Sequence, residues 1–217
     1  RYLLYQNRNK QDETENEIVS LKQHMESIRL SLQNFNLAQN RLENTLVRGG
    51  SQQQGSWGEF VLKNILDGAG LREGYEYETQ KSFRDENDNL QKPDVIVRMP
   101  GKRDIVIDSK VPLSAWHDFS NSNDDNQKKL FLKKFLDSIK SFVRDLGKDD
   151  YASLYQINSI DSVLMFIPIE PALLTLYNEA EDLIEKAWQK KIIIVGPSTL
   201  PFLLKAVENM WRIDKQS

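Results

Sequence analysis

The chain has 217 residues, 39% hydrophobic and 28% charged, with 29 Lys plus Arg against 32 Asp plus Glu and a net charge of -3. This is a globular composition with enough apolar residues for a real core and no global attraction to nucleic acid or acidic lipid, so a DNA partner requires a local basic patch. Cysteine is absent and the only histidines are His24 and His117, which excludes disulfides, thiol nucleophiles and Cys-type zinc sites, and all but excludes His-dependent triads. Hydrolytic chemistry would have to run on carboxylates, lysine and a hard metal. No apolar run approaches the roughly 20 residues needed to cross a bilayer, so no membrane segment is expected within the chain. The opening at Arg1 rather than Met, and the close in a charged helical pattern at Lys215, Gln216 and Ser217, read as a piece of a longer protein with an anchor or further helices elsewhere.

Residues 1–50 lack proline, reach their first glycine at Gly49, and are rich in Gln, Asn, Glu and Leu, which favours one long helix. Ile18, Leu21, Met25, Ile28, Leu32, Phe35, Gln39, Leu42 and Leu46 recur in alternating steps of three and four, the period of a coiled coil. A stripe this narrow, flanked by Asn and Gln, buries poorly in a globule, so a coiled coil that makes a homo-oligomer is favoured over a single packed helix. Gln39, the polar member of the seam, would help set its register. Residues 51–55 have the Gly, Ser and Gln content of a hinge, and a compact domain is expected over 56–217.

Within that domain Trp57, Phe60, Val61, Ile65 and Leu66 recur at helical spacing until Gly68 and Gly70. Three extended runs follow, over residues 76–83, 93–98 and 104–110, separated by turn-forming stretches and predicting a meander. A short helix from Pro112 and an amphipathic one over 125–146 come next, with Leu132, Phe135, Leu136, Ile139, Phe142 and Val143 inward. A strand over 162–167, a helix over 171–189, a strand over 191–195 and a helix from Ser198 complete a mixed α/β sandwich. Trp57, Trp116, Trp188 and Trp211 lie mainly on apolar helical faces, so core packing is expected over base stacking for all four.

The chemistry-bearing residues concentrate in the meander. Asp108 and Lys110, two apart on a strand, leave the same face of the sheet, and a tight antiparallel hairpin can bring Asp94 beside Asp108. Two carboxylates, the Ser109 carbonyl and water form the hard oxygen set that Mg2+ prefers, and a lysine beside them can stabilise charge on a phosphoryl group. Pro93-Asp94, a spacer, then Asp108-x-Lys110 resembles the PD-(D/E)XK nuclease motif. By spacing alone, an Asp108–Lys110 ion pair with Asp94 capping a turn is the simpler reading. Glu59 has two readings as well: the N3 glutamate of a capping box opened by Ser56, or a third site carboxylate carried in by the helix.

Seven blocks in one order bear on this choice. They are Gly55-Ser56-Trp57-Gly58-Glu59, Leu66-Asp67-Gly68-Ala69-Gly70-Leu71, Gln80, Lys92-Pro93-Asp94-Val95, Ile107-Asp108-Ser109-Lys110-Val111, Met165-Phe166-Ile167-Pro168-Ile169-Glu170 and Pro197-Ser198-Thr199-Leu200. Together, over about residues 55–212, the sequence resembles the RmuC family of bacterial DNA recombination proteins. The resemblance implies a PD-(D/E)XK (restriction-endonuclease-like) core, a metal-dependent DNA nuclease with Mg2+ or Mn2+, and a role in recombination that limits rearrangement at inverted repeats. The alternative is a non-catalytic DNA-binding or coiled-coil scaffold that retains the fold. Carried over by position, Glu59, Asp94, Asp108 and Lys110 match the catalytic set, with Asp94, Asp108 and Glu59 on the metal and Gln80 a polar neighbour. The family further implies a cytoplasmic protein, tethered in its parent form by an N-terminal membrane anchor. One departure is the block from Leu146 to Tyr151, where the family's spacing would set Lys148 one place nearer the tyrosine.

Three weaker candidates remain. Glu170 reads as a helix N-terminal acid or an added site carboxylate. The Gly196-Pro197-Ser198-Thr199 turn reads as a helix start or a phosphate receiver. Lys129, Lys133, Lys140 and Arg144 form a basic stripe, interrupted by Asp137, that either tracks a DNA backbone or is simply solvated.

Overall fold

The computed structural model describes residues 50–79, 83–84, 90–91, 93–99, 103–110, 112–147 and 159–206. The expected coiled coil lies, apart from Gly50, outside the described residues, as do Gln80 and Trp211. Helix α1 (Gly50–Gly68) opens the described part, followed by β1 (Tyr77–Thr79), β2 (Phe83–Arg84), β3 (Leu90–Gln91), β4 (Val95–Met99) and β5 (Arg103–Ser109). Helices α2 (Leu113–Asn121) and α3 (Asp125–Leu146) lead to β6 (Ser159–Phe166), and α4 (Glu170–Glu179) and α5 (Glu181–Gln189) lead to β7 (Ile192–Val195). A last helix, α6, starts at residue 200 and is described to 206.

A five-stranded mixed sheet in the order β1-β4-β5-β6-β7 forms the centre. The meander is present: β1 pairs antiparallel with β4, and β4 with β5, whereas β5, β6 and β7 run parallel and are joined through helices. Parallel neighbours need such crossovers, which lay helices on the sheet and bury it from both sides. Ile96 and Val106 on one face and Val97 and Ile107 on the other are all buried, and so are Leu164, Met165 and Phe166 in sequence along β6. The near-continuous apolar runs of these strands therefore reflect two-sided burial rather than a half-solvated sheet.

Helix α3 starts at Asp124, whose carboxylate accepts the Gln127 N–H at 2.8 Å, and it buries Phe135, Ile139, Val143 and Leu146. Asp124 satisfies one of the orphan amides of the first turn. Phe135 meets Trp116 of α2 edge-on, with ring centroids 5.6 Å apart.

Three local readings need correction. The segment 51–55, expected as a hinge, is helical and belongs to α1. Its Gln54 is buried and donates to Ser114 Oγ at 3.2 Å, so a tertiary contact holds in the helix a stretch whose composition is that of a linker. The run over 76–83 is not one strand, since β2 leaves the main sheet to pair with β3 in a separate two-stranded hairpin. The helix over 171–189 is broken at Ala180, buried with φ -145°, between the buried Leu176 and Leu183. No proline or glycine marks that break, and the leucines on either side of it are both buried.

Candidate active site

Sheet register sets the geometry. Val95 lies opposite Ile107 and Ile96 opposite Val106, so one step beyond the last pair Asp94 comes opposite Asp108. Asp94 Oδ2 accepts the Ser109 backbone N–H at 2.6 Å, which locks the carboxyl across the end of the β4–β5 pair. Asp108 is only 5% exposed, and Lys110 Nζ stands 2.6 Å from its Oδ2. The Lys110 backbone N–H donates to the Phe166 carbonyl at 2.9 Å, so the neighbouring parallel strand fixes the lysine's origin. Asp94, Asp108 and Lys110 thus gather at one end of the sheet, as their spacing predicts.

The electrostatics follow from this crowding. Burial first, and then the Asp108 charge, push the Asp94 carboxyl up from 3.8 to about 6, against the opposing pull of the Ser109 N–H and of Lys110. Glu59 adds to the rise, so α1, which packs on β5, carries its carboxylate into the field of the same group. The capping-box reading of Glu59 fails because Ser56 lies inside α1 rather than at its start. Among the described residues no three Asp, Glu, His or Cys side chains close into a metal-holding group, and Glu59 meets Asp94 here through its charge.

What remains is a carboxylate pair. Two carboxylates completed by water satisfy Mg2+, which keeps much of its hydration, and a divalent cation would relieve the repulsion that raises Asp94. The Asp94 and Asp108 donor set therefore fits such an ion.

A pH effect follows. Below about pH 4 the Asp94 carboxyl is protonated in both the folded and unfolded chain; as pH rises the unfolded form ionises first, and folded stability falls until pH passes about 6. At roughly 1.4 kcal/mol per pH unit between those two values, the cost at pH 8 is on the order of 3 kcal/mol. Asp94→Asn keeps an acceptor for the Ser109 N–H. It should stabilise the metal-free protein at pH 8 and leave it unchanged at pH 4, as read by urea unfolding in EDTA.

The other candidates lie elsewhere. Lys129, Lys133, Lys140 and Arg144 are exposed on α3, away from its buried side, with Arg144 held by Ser141 and Asp145. Glu170 takes the structural role: its carboxylate accepts the Ser198 N–H at 2.9 Å and the Ser198 hydroxyl. The Gly196 N–H donates to Thr199 Oγ1 at 2.8 Å, so the amides read as a phosphate receiver are occupied by the protein itself. This clamp needs a glycine, because a Cβ on Gly196 would come within 2.5 Å of Leu173 Cδ2 and 3.2 Å of Glu170 Oε2. Gly196→Ala is expected to cost about 2 kcal/mol in denaturant unfolding.

One feature was missed. Arg98 donates to Asp104 Oδ2 and to Glu78 Oε2, each at 2.7 Å, in a row across β1, β4 and β5. These residues share the sheet face of Asp94 and Asp108, and the pairing of Arg98 with Asp104 across the β4–β5 turn was the available signal.

Comparison with known proteins adds the decisive observation: a model of the RmuC family matches residues 3–217. The chain belongs to the RmuC family. Similar RmuC proteins include a "DNA recombination protein RmuC homolog" of Yersinia pestis, 43% identical over 171 residues, covering 79% of this chain and 36% of that protein. The "DNA recombination protein RmuC" of Salmonella typhimurium is 41% identical and that of Escherichia coli K12 is 40% identical, each over 85% of this chain and 39% of the relative. The chain therefore spans about two fifths of the length of the curated relatives it matches. Among its described residues no helix is long and apolar enough to cross a membrane.

Proposed function

We propose that this RmuC-family chain carries the catalytic core of a metal-dependent DNA nuclease acting in recombination. The observation that carries the reading is the carboxylate pair, buried Asp108 and half-buried Asp94, set opposite each other beside Lys110 at a strand end. Two carboxylates held opposite each other, with one pushed to about 6, repel unless a cation relieves them, and such perturbed groups cluster at functional sites. The order of one helix, an antiparallel strand pair, helices and a parallel strand also agrees with a PD-(D/E)XK core.

In this reading Asp94 and Asp108 hold Mg2+ or Mn2+, which when bound supplies an activated water and charge stabilisation at the phosphoryl group. The Lys110 ammonium, 2.6 Å from Asp108, stabilises negative charge developing on a phosphate oxygen. Glu59 assists at the metal or orients the attacking water through its carboxylate. The substrate is DNA, the N-terminal heptads assemble copies of the chain, and the parent protein is cytoplasmic with a membrane tether.

A second reading keeps the fold as a non-catalytic DNA-binding scaffold. Its support is that the Asp108–Lys110 ion pair and the Asp94 cap on Ser109 are the contacts a structural role requires. Metal binding separates the two. Titration with Mn2+ followed by thermal unfolding should raise the melting temperature of the parent chain and not of Asp108→Asn; an equal response in both, or none, favours the scaffold.

A further inference from the structure

The end of α5 presents an exposed aromatic among cations. Trp188 is 68% exposed, against 8% for Trp57 and 7% for Trp116, because α5 buries Leu183 and Ala187 and leaves the indole to one side. The expectation of a core position for Trp188 is thereby corrected. Lys186, Lys190 and Lys191 lie within three residues of it and all three are exposed, with Lys186 paired to Asp182 at 3.0 Å.

Lys190 also links two helices. A Cβ on Gly147 would sit 3.0 Å from Lys190 Cδ and 3.1 Å from its Nζ, so the lysine lies across the C-terminal end of α3, where the helix dipole favours a cation. The contact carries the basic stripe of α3, through exposed Lys140 and Arg144, onto the Trp188 turn. Lys191 has φ 60°, a left-handed conformation that no other non-glycine residue adopts among those described. Such a position costs a lysine more than a glycine or asparagine. Asp145, which takes Arg144 Nε at 3.4 Å, Asp182, held by Lys186, and Glu185 are acidic residues of the same stretches.

We propose that this surface binds single-stranded nucleic acid, with Trp188 stacked on an unpaired base and Lys190, Lys191 and Lys140 on the flanking phosphates. Bases in a duplex are already stacked on one another, so an isolated exposed indole can be used in this way only by an unpaired strand. The surface is separate from the carboxylate pair: Lys191 leads into β7 and Lys110 leaves β5, and these strands run in the same direction, so the two sites sit at opposite ends of the sheet. Binding here needs neither metal nor cleavage and does not rest on the nuclease reading.

The test is titration of the 217-residue chain with a short oligothymidylate in EDTA, following intrinsic tryptophan fluorescence. The expected result is quenching that is largely lost in Trp188→Phe, affinity about tenfold weaker in Trp188→Ala, and a weaker response to duplex of the same length. Lys190→Glu and Lys191→Glu should each lower the slope of log affinity against log salt by about 0.7. Binding of Trp188→Ala at the parent's affinity, equal quenching by duplex, or no quenching at all would overturn the proposal. Cleavage through Asp108 without any Trp188 response would sink this surface and leave the nuclease reading standing; the reverse pattern would do the opposite.

Discussion

Asp108→Asn is expected to lower metal-dependent DNA cleavage by more than about a hundredfold while leaving the domain folded, with its melting temperature within about 4 °C of the parent. The substitution removes a carboxylate that faces Asp94 across the β4–β5 pair, so the lost Lys110 ion pair is offset by relief of the charge that holds Asp94 near 6. The measurement is cleavage of a labelled DNA alongside thermal unfolding of the same preparation. Retained cleavage would remove Asp108 from the reaction.

Lys110→Ala should act on both function and stability. Cleavage is lost for want of a cation at the phosphoryl oxygens, and the buried Asp108 carboxylate is left without its lysine beside Asp94. Removing one partner of such a pair costs about 3 kcal/mol at pH 7, and the deficit shrinks as pH falls through about 6 and the Asp94 carboxyl beside Asp108 loses its charge. Urea unfolding at the two pH values checks the second half. A deficit that is the same at both would mean that Lys110 contributes through packing of its alkyl stem instead.

The contrast between these variants bears on what the sequence could reveal. Asp94 and Asp108 were legible because a tight hairpin has a fixed register, and two residues that flank it symmetrically must meet. Strands β4 to β7 were legible because their apolar runs are short and bounded by turn formers. Glu59 was not legible from local signals: Ser56-Trp57-Gly58-Glu59 is a good capping box, yet α1 starts earlier because Gln54 finds Ser114, a partner 60 residues away. The break at Ala180 and the Glu170–Ser198 clamp, 28 residues apart, depend in the same way on contacts that exist only once the sheet has formed. Trp188 misled for a geometric reason. A stripe of helical spacing has width, and Leu183 with Ala187 already fills the part of it that faces the core.

The proposed role of the Asp94 and Asp108 pair is metal-dependent phosphodiester cleavage. Its most direct test incubates the purified chain with hairpin, duplex and single-stranded DNA in Mn2+, Mg2+ or EDTA, beside Asp108→Asn. Cleavage that needs the divalent ion and disappears in the variant is the predicted result, and the preferred DNA form names the substrate. Cleavage that survives EDTA or the substitution, or DNA binding with no cleavage under any of these conditions and in the full-length relatives as well, would contradict it.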